Sequence, residues 1–130
     1  MEPIADNALS NPLYEPPLNT LLSENAMVRG VLLATRDGLV MAHQLVAEAK
    51  PRLLAAVASS LLGLSESVCL EQDLITGLRS TFVEGEDGAM LVLPAGDELV
   101  LLVLTEPHPD STALKAACEQ CVQALISLKP

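Results

Sequence analysis

The chain has 130 residues, enough for one domain, and half of them are apolar, so a core of Leu, Val, Ala and Ile is available. The 17 acidic and 7 basic residues give a formal net charge of −10, and the aromatic rings are Tyr14 and Phe82. So few, scattered cations exclude a surface that neutralises nucleic-acid phosphates or an anionic membrane, and the lack of rings excludes a base-stacking platform.

Three cysteines do not make a disulfide framework, and the opening residues MEPIADNALS lack the basic and apolar regions of a secretory signal. The longest charge-free apolar run, Leu53–Ser65, is short for a bilayer span. A soluble, cytoplasmic protein is the expectation.

Residues 1–17 hold four prolines and three acids with no Lys or Arg, and read as a flexible acidic tail. The domain is expected over 18–130. Leu18, Leu21, Leu22 and Met27 share one face of a short helix over Leu18–Met27. Val28–Thr35 then reads as a strand, Asp37-Gly38 as a tight two-residue hairpin, and Leu39–His43 as the returning strand. Pro51 suits a first helical position, and the spacing predicts a helix to about Leu70. Leu53, Leu54, Val57, Leu61, Leu64 and Val68 form its apolar stripe, expected to lie on the sheet.

The next runs predict strands over Ile75–Glu84, Ala89–Leu93 and Leu99–Thr105, with turns at 84–88 and 94–97. Asp110 or Ser111 can cap a last helix running to about Leu128. The order is α-β-β-α-β-β-β-α. Val31–Ala34 and Leu99–Leu104 are apolar on both pleat faces, so both faces must be covered. The fold class is therefore α/β (α+β), a central five-stranded, mainly antiparallel sheet with helices on both faces.

No constellation for chemistry emerges. Cys118-Glu119-Gln120-Cys121 lies in the body of the last helix on its apolar stripe, whereas a redox pair needs a helix N-terminus to lower its thiol pKa. Two buried thiols are expected. Cys69, His43 and His108 lack ligand spacing for zinc. No nucleophile elbow, phosphate loop or dinucleotide fingerprint occurs, and Glu84, Glu86 and Asp87 sit at a hairpin tip without the spacing of a calcium loop. No catalytic, metal or cofactor residue is predicted, and the protein is not expected to be an enzyme.

A second stripe of the long helix is small: Ala56, Ser60, Gly63 and Ser67, with Ala55 and Ser59 beside it. Between Pro51 and Leu64 the sole charge is Arg52, whereas exposed helix faces are normally charged. The plain reading is a helix buried tightly on its own sheet; the sharper one is that one face packs on the sheet and the small face, which permits close helix–helix approach, packs on a second copy of the chain in a two-fold dimer.

The runs GVLLATRDGLVMAHQL, AAVASSLLGLSES and FVEGEDGAMLVLPAGDELVLLVLTE resemble the opening hairpin, central helix and closing strands of bacterial roadblock/dynein-light-chain domains over about residues 18–128. The resemblance implies a homodimer that pairs the long helices and joins the third strands into one continuous sheet. It places Ala56, Ser59, Ser60, Gly63, Ser67, Arg79 and Thr81 at the dimer interface. It also implies a non-catalytic regulator that binds a Ras-like small GTPase, as the gliding-motility member does without supplying an arginine finger. The alternative is a scaffold subunit for peptides or other roadblock-type subunits. A small-molecule sensor ranks third, since the strands show no pocket with convergent polar groups. Residue 50, before Pro51, and the acidic proline-rich tail depart from the family pattern.

Overall fold

A computed structural model describes residues 9–46, 48–72 and 75–128. A 3-10 turn, Pro12–Tyr14, leads into α1 (Glu15–Glu24). Then come β1 (Val28–Thr35), β2 (Val40–Gln44), α2 (Pro51–Gln72), β3 (Thr81–Glu84), β4 (Ala89–Ala95), β5 (Leu99–Thr105) and α3 (Ser111–Ile126). The strands form one antiparallel sheet in the order β2-β1-β5-β4-β3. The apolar strands β1 and β5 are neighbours inside it, as their two-sided burial requires.

The pleat sends alternate residues to two cores. Leu33, Leu101 and Val103 meet Leu18 and Leu21 of α1 and Leu114, Cys118 and Leu125 of α3 on one face. Leu32, Val100 and Leu102 meet Ala55, Ala58 and Leu62 of α2 on the other. The expected layering is present, with α1 and α3 opposite α2. Asp110 caps α3, its carboxylate accepting from the Ala113 N–H at 3.1 Å.

Several boundaries differ from the sequence expectation. The tail expected over 1–17 ends earlier among the described residues. Pro16 and Pro17 occupy the first turn of α1, where a missing N–H costs nothing, and Pro17 is buried. Residues 1–8 lie outside the described residues. The β1–β2 connection is wider than two residues. Gly38 N–H donates to Thr35 O, Thr35 N–H donates to Leu39 O, and Gly38 takes φ 90°. This is a three-residue turn closed by a left-handed glycine. The strand expected from Ile75 begins at Thr81, so Arg79 and Ser80 precede it.

The largest correction concerns α2. The face on the sheet is Ala55, Ala58 and Leu62, all essentially inaccessible, while Leu53, Leu64 and Val68 point away. The helix passes close over the β1–β2 hairpin. A Cβ at Gly38 would lie 3.6 Å from Ala56 Cα and 3.7 Å from Ala55 O. Small residues are needed where the helix crosses the hairpin, so Leu53, Leu64 and Val68 turn outward, while Leu54 and Leu61 of the expected stripe do pack against the sheet. The 22-residue α2 is also longer than its charge-free run, and by length and composition it would pass for a membrane span, with mean hydropathy 1.8. It lies across the sheet with Leu62 in the core.

Candidate functional site

The outer face of α2 is the most unusual surface of the chain. Leu53, Leu64, Val68 and Leu70 are 56%, 66%, 49% and 84% exposed. Ala56, Ser60, Gly63 and Ser67 lie among them and are also exposed. A trough of about 380 Å³ runs between Ala56, Val57, Ser60, Leu61 and Leu64. An apolar patch of this kind on a folded chain marks a contact surface.

The patch adjoins an open sheet edge. β3 pairs with β4 on one side and has no described strand on the other. Thr81 Oγ1 donates to Ser65 Oγ at 2.7 Å and ties that edge to α2. Phe82 and Val83 are exposed on β3, and Ile75 is exposed in the segment leading to it. The β3 edge thus lies beside α2, with Thr81 and Val83 on the α2 side of the sheet and Phe82 on the other.

The seven residues predicted for an interface fall in three groups. Ala56, Ser60, Gly63 and Ser67 share the exposed face of α2. Ser59 turns inward, its hydroxyl donating to Arg36 O in the hairpin. Thr81 is half-buried on β3, and Arg79 is exposed just before it. Sequence reasoning missed Leu53, Leu64 and Val68 because it assigned them to the sheet. Their spacing alone fits either face; the small residues required beside Gly38 were the signal that decides it.

The arginines are largely engaged with their own chain. Arg36 Nη1 donates to Glu66 Oε1 at 2.8 Å and Nη2 to Gly96 O at 3.2 Å, joining the hairpin to α2 and to the β4–β5 turn. Both partners are partly exposed, so screening keeps the ion pair weak. Arg29 Nη1 donates to Asp87 O at 2.9 Å. It borders an apolar cavity of about 490 Å³ where α2 leaves the sheet uncovered, lined also by Leu45, Met90 and Leu104. Arg29 and Thr105 are the polar side chains of that lining, so a groove exists that the strands did not announce, without a converging polar set.

Cys118 and Cys121 are buried on α3, facing α1 and the sheet. Burial pushes Cys118 up to about 12, helped by the charges of Cys121 and Glu119, and burial pushes Cys121 up to about 11. A redox pair needs the opposite shift. Among the described residues no group of three or more His, Cys, Asp or Glu is arranged to hold a metal. Native-state alkylation of both thiols at pH 8 should be slow against unfolded chain. The thiols' folded values exceed the ordinary 9.0, so their contribution to stability is complete below about pH 9 and is lost as pH rises toward 11 to 12. The double change Cys118→Ala, Cys121→Ala should cost about 1–3 kcal/mol by denaturant titration, through lost packing. Rapid labelling of the native protein would contradict the burial.

A small sheet with one helix across one face, two across the other, and an apolar helix–edge surface defines an interaction domain. A profile of the Roadblock/LC7 domain matches residues 19–105, and the chain belongs to that family. An uncharacterised protein of Methanocaldococcus jannaschii is 40% identical over 79 residues, which are 61% of this chain and 65% of that protein. The Roadblock/LC7 domain from Streptomyces avermitilis superposes with a TM-score of 0.78 at 23% identity, covering 84% of this chain and 91% of its own. MglB in a tetrameric arrangement superposes with a TM-score of 0.76 at 22% identity, covering 97% and 95%. These likenesses establish a roadblock-type fold, and the family is generally a non-catalytic regulatory or adaptor domain.

Proposed function

We propose that the protein is a homodimeric regulatory adaptor, without catalytic groups of its own, that binds a Ras-like small GTPase. The observation that carries the dimer is the exposed apolar face of α2, on the helix that Thr81 ties to the open edge strand β3. Two copies related by a two-fold would bury both features at once. Family membership and the fold shared with MglB support a GTPase as the partner. An adaptor for another roadblock-type subunit would use the same helix face with a sibling in place of the second copy.

Capture from native cells on the immobilised protein, with mass-spectrometric identification, tests the partner. A GTPase in the eluate is the expected result; a roadblock-type sibling without one favours the adaptor reading. With the GTPase in hand, Arg29, Arg36, Arg52 and Arg79 are replaced by Ala one at a time. An arginine finger supplies about 10³–10⁵ in rate. We expect changes in maximal GTP turnover below roughly tenfold, since Arg29 and Arg36 are tied to backbone carbonyls and Arg52 sits in the first turn of a helix. The adaptor would act by favouring one conformation of the GTPase, by no more than its differential affinity for the two states. A thousandfold loss at unchanged affinity for any one variant would overturn this.

A further inference from the structure

The two edges of the sheet are not alike. The outer edge of β3 carries no described strand, whereas β2 is covered by the chain's own N-terminal segment. Asn11 N–H donates to Met41 O at 2.9 Å. His43 N–H donates to Ser10 Oγ at 3.0 Å, and the same hydroxyl lies 3.4 Å from His43 O, which accepts from it. A hydroxyl serves both roles. The Met41 carbonyl and both backbone groups of His43 are thereby occupied.

The segment is anchored from behind. Asn11 is extended at φ −76° and ψ 117°, and its side chain accepts from Leu13 N–H at 3.0 Å to cap the 3-10 turn. That turn feeds α1, which is held in the core by Leu18 and Leu21. Edge strands are normally protected by a charge, a proline or a bulge that discourages pairing with another chain. β2 reads Val-Met-Ala-His-Gln and carries neither a formal charge nor a proline. It does carry a bulge: Leu33 pairs with Ala42 and Ala34 with Val40, which leaves Met41 as the extra residue, the one whose carbonyl Asn11 holds. Its outer side has the N-terminal segment as well.

We infer that Ser10 and Asn11 cap the β2 edge and so confine edge-to-edge assembly of this chain to β3. The occupant excluded is a second copy's β2, because an antiparallel pairing about a two-fold is self-complementary. With both edges open, β3–β3 and β2–β2 contacts would alternate without end and build a ribbon; with β2 capped, assembly closes at two copies. The inference rests on the proposed dimer in one respect, the size at which assembly stops.

The test is the full chain carrying Ser10→Ala and Asn11→Pro. Proline fits the φ of Asn11, removes the N–H and sets its ring against Met41 O. Amide exchange at His43 and sedimentation from micromolar to millimolar concentration are compared with wild type. We expect His43 exchange to accelerate roughly tenfold or more, and the variant to grow with concentration to at least twice the wild-type mass. Adding Gln44→Lys, a guard charge on the edge, should restore the wild-type mass; failure to do so would show aggregation elsewhere and overturn the inference. Unchanged His43 exchange, or faster exchange without growth in mass, also overturns it. Ser10→Ala alone, with the helical circular-dichroism signal as the check on folding, gives the same readouts in milder form. A monomeric wild type would sink the proposed dimer and leave the cap testable by whether the variant doubles that mass.

Discussion

Gly63→Arg is expected to turn the assembled protein into monomers. The dimer Kd should rise at least about 100-fold, or about 2.8 kcal/mol, measured by sedimentation across a concentration series. Gly63 lies on the exposed face of α2, and a Cβ added there meets nothing within 4 Å of its own chain. Arginine is also the better helix former, by roughly 0.7–1 kcal/mol. The isolated fold should therefore tolerate the change, with its helical signal intact. A bulky cation at a two-fold contact meets its own copy, so the clash and the repulsion are both doubled. Ser60→Arg, one turn earlier on the same face, should act in the same direction. A wild type that sediments as a monomer at micromolar concentration, or a Gly63→Arg protein with unchanged dimer affinity, would remove α2 from the interface.

The layout of the fold was legible because local signals agreed with one another. Val31–Ala34 and Leu99–Leu104 are apolar on both faces, and those strands are the covered neighbours β1 and β5. Asp37-Gly38, Pro51 and Asp110 marked a turn and two helix starts, and each lies within a residue or two of its element's boundary. Short-range chemistry was less reliable where tertiary packing decides. Pro16 and Pro17 looked like linker residues, yet they open α1 because their missing N–H groups fall where a helix has none to satisfy. Ile75–Ser80 looked like strand by composition, but pairing with β4 reaches from Thr81 to Glu84 and no further. The capping of β2 was invisible in sequence, since it joins Ser10 and Asn11 to residues thirty or more positions away.

Leu62→Ala is expected to cost about 2–5 kcal/mol of folding stability, and Leu64→Ala, two residues on, less than about 0.5 kcal/mol. Both are best measured by denaturant titration in the Gly63→Arg background, where dimerisation does not contribute. Leu62 is 1% exposed and is the large side chain that α2 places fully inside the core against Leu32, Val92 and Leu102. Removing its three outer carbons leaves a cavity between helix and sheet, because Ala55 and Ala58 on the same face are already minimal and cannot expand into it. Leu64 stands two-thirds exposed, so truncating it forfeits little burial within the monomer. In the wild-type background the Leu64 change should instead weaken dimer affinity, since its side chain lies on the surface that the second copy of the proposed dimer would cover. The sequence stripe assigns these leucines the other way, with Leu64 on the sheet and Leu62 outside the stripe. Equal costs for the two variants in the monomeric background, or a larger one for Leu64, would mean that α2 is rotated about its axis from the position described. A result in the expected order would fix which side of α2 holds the fold together and which is free to bind a partner.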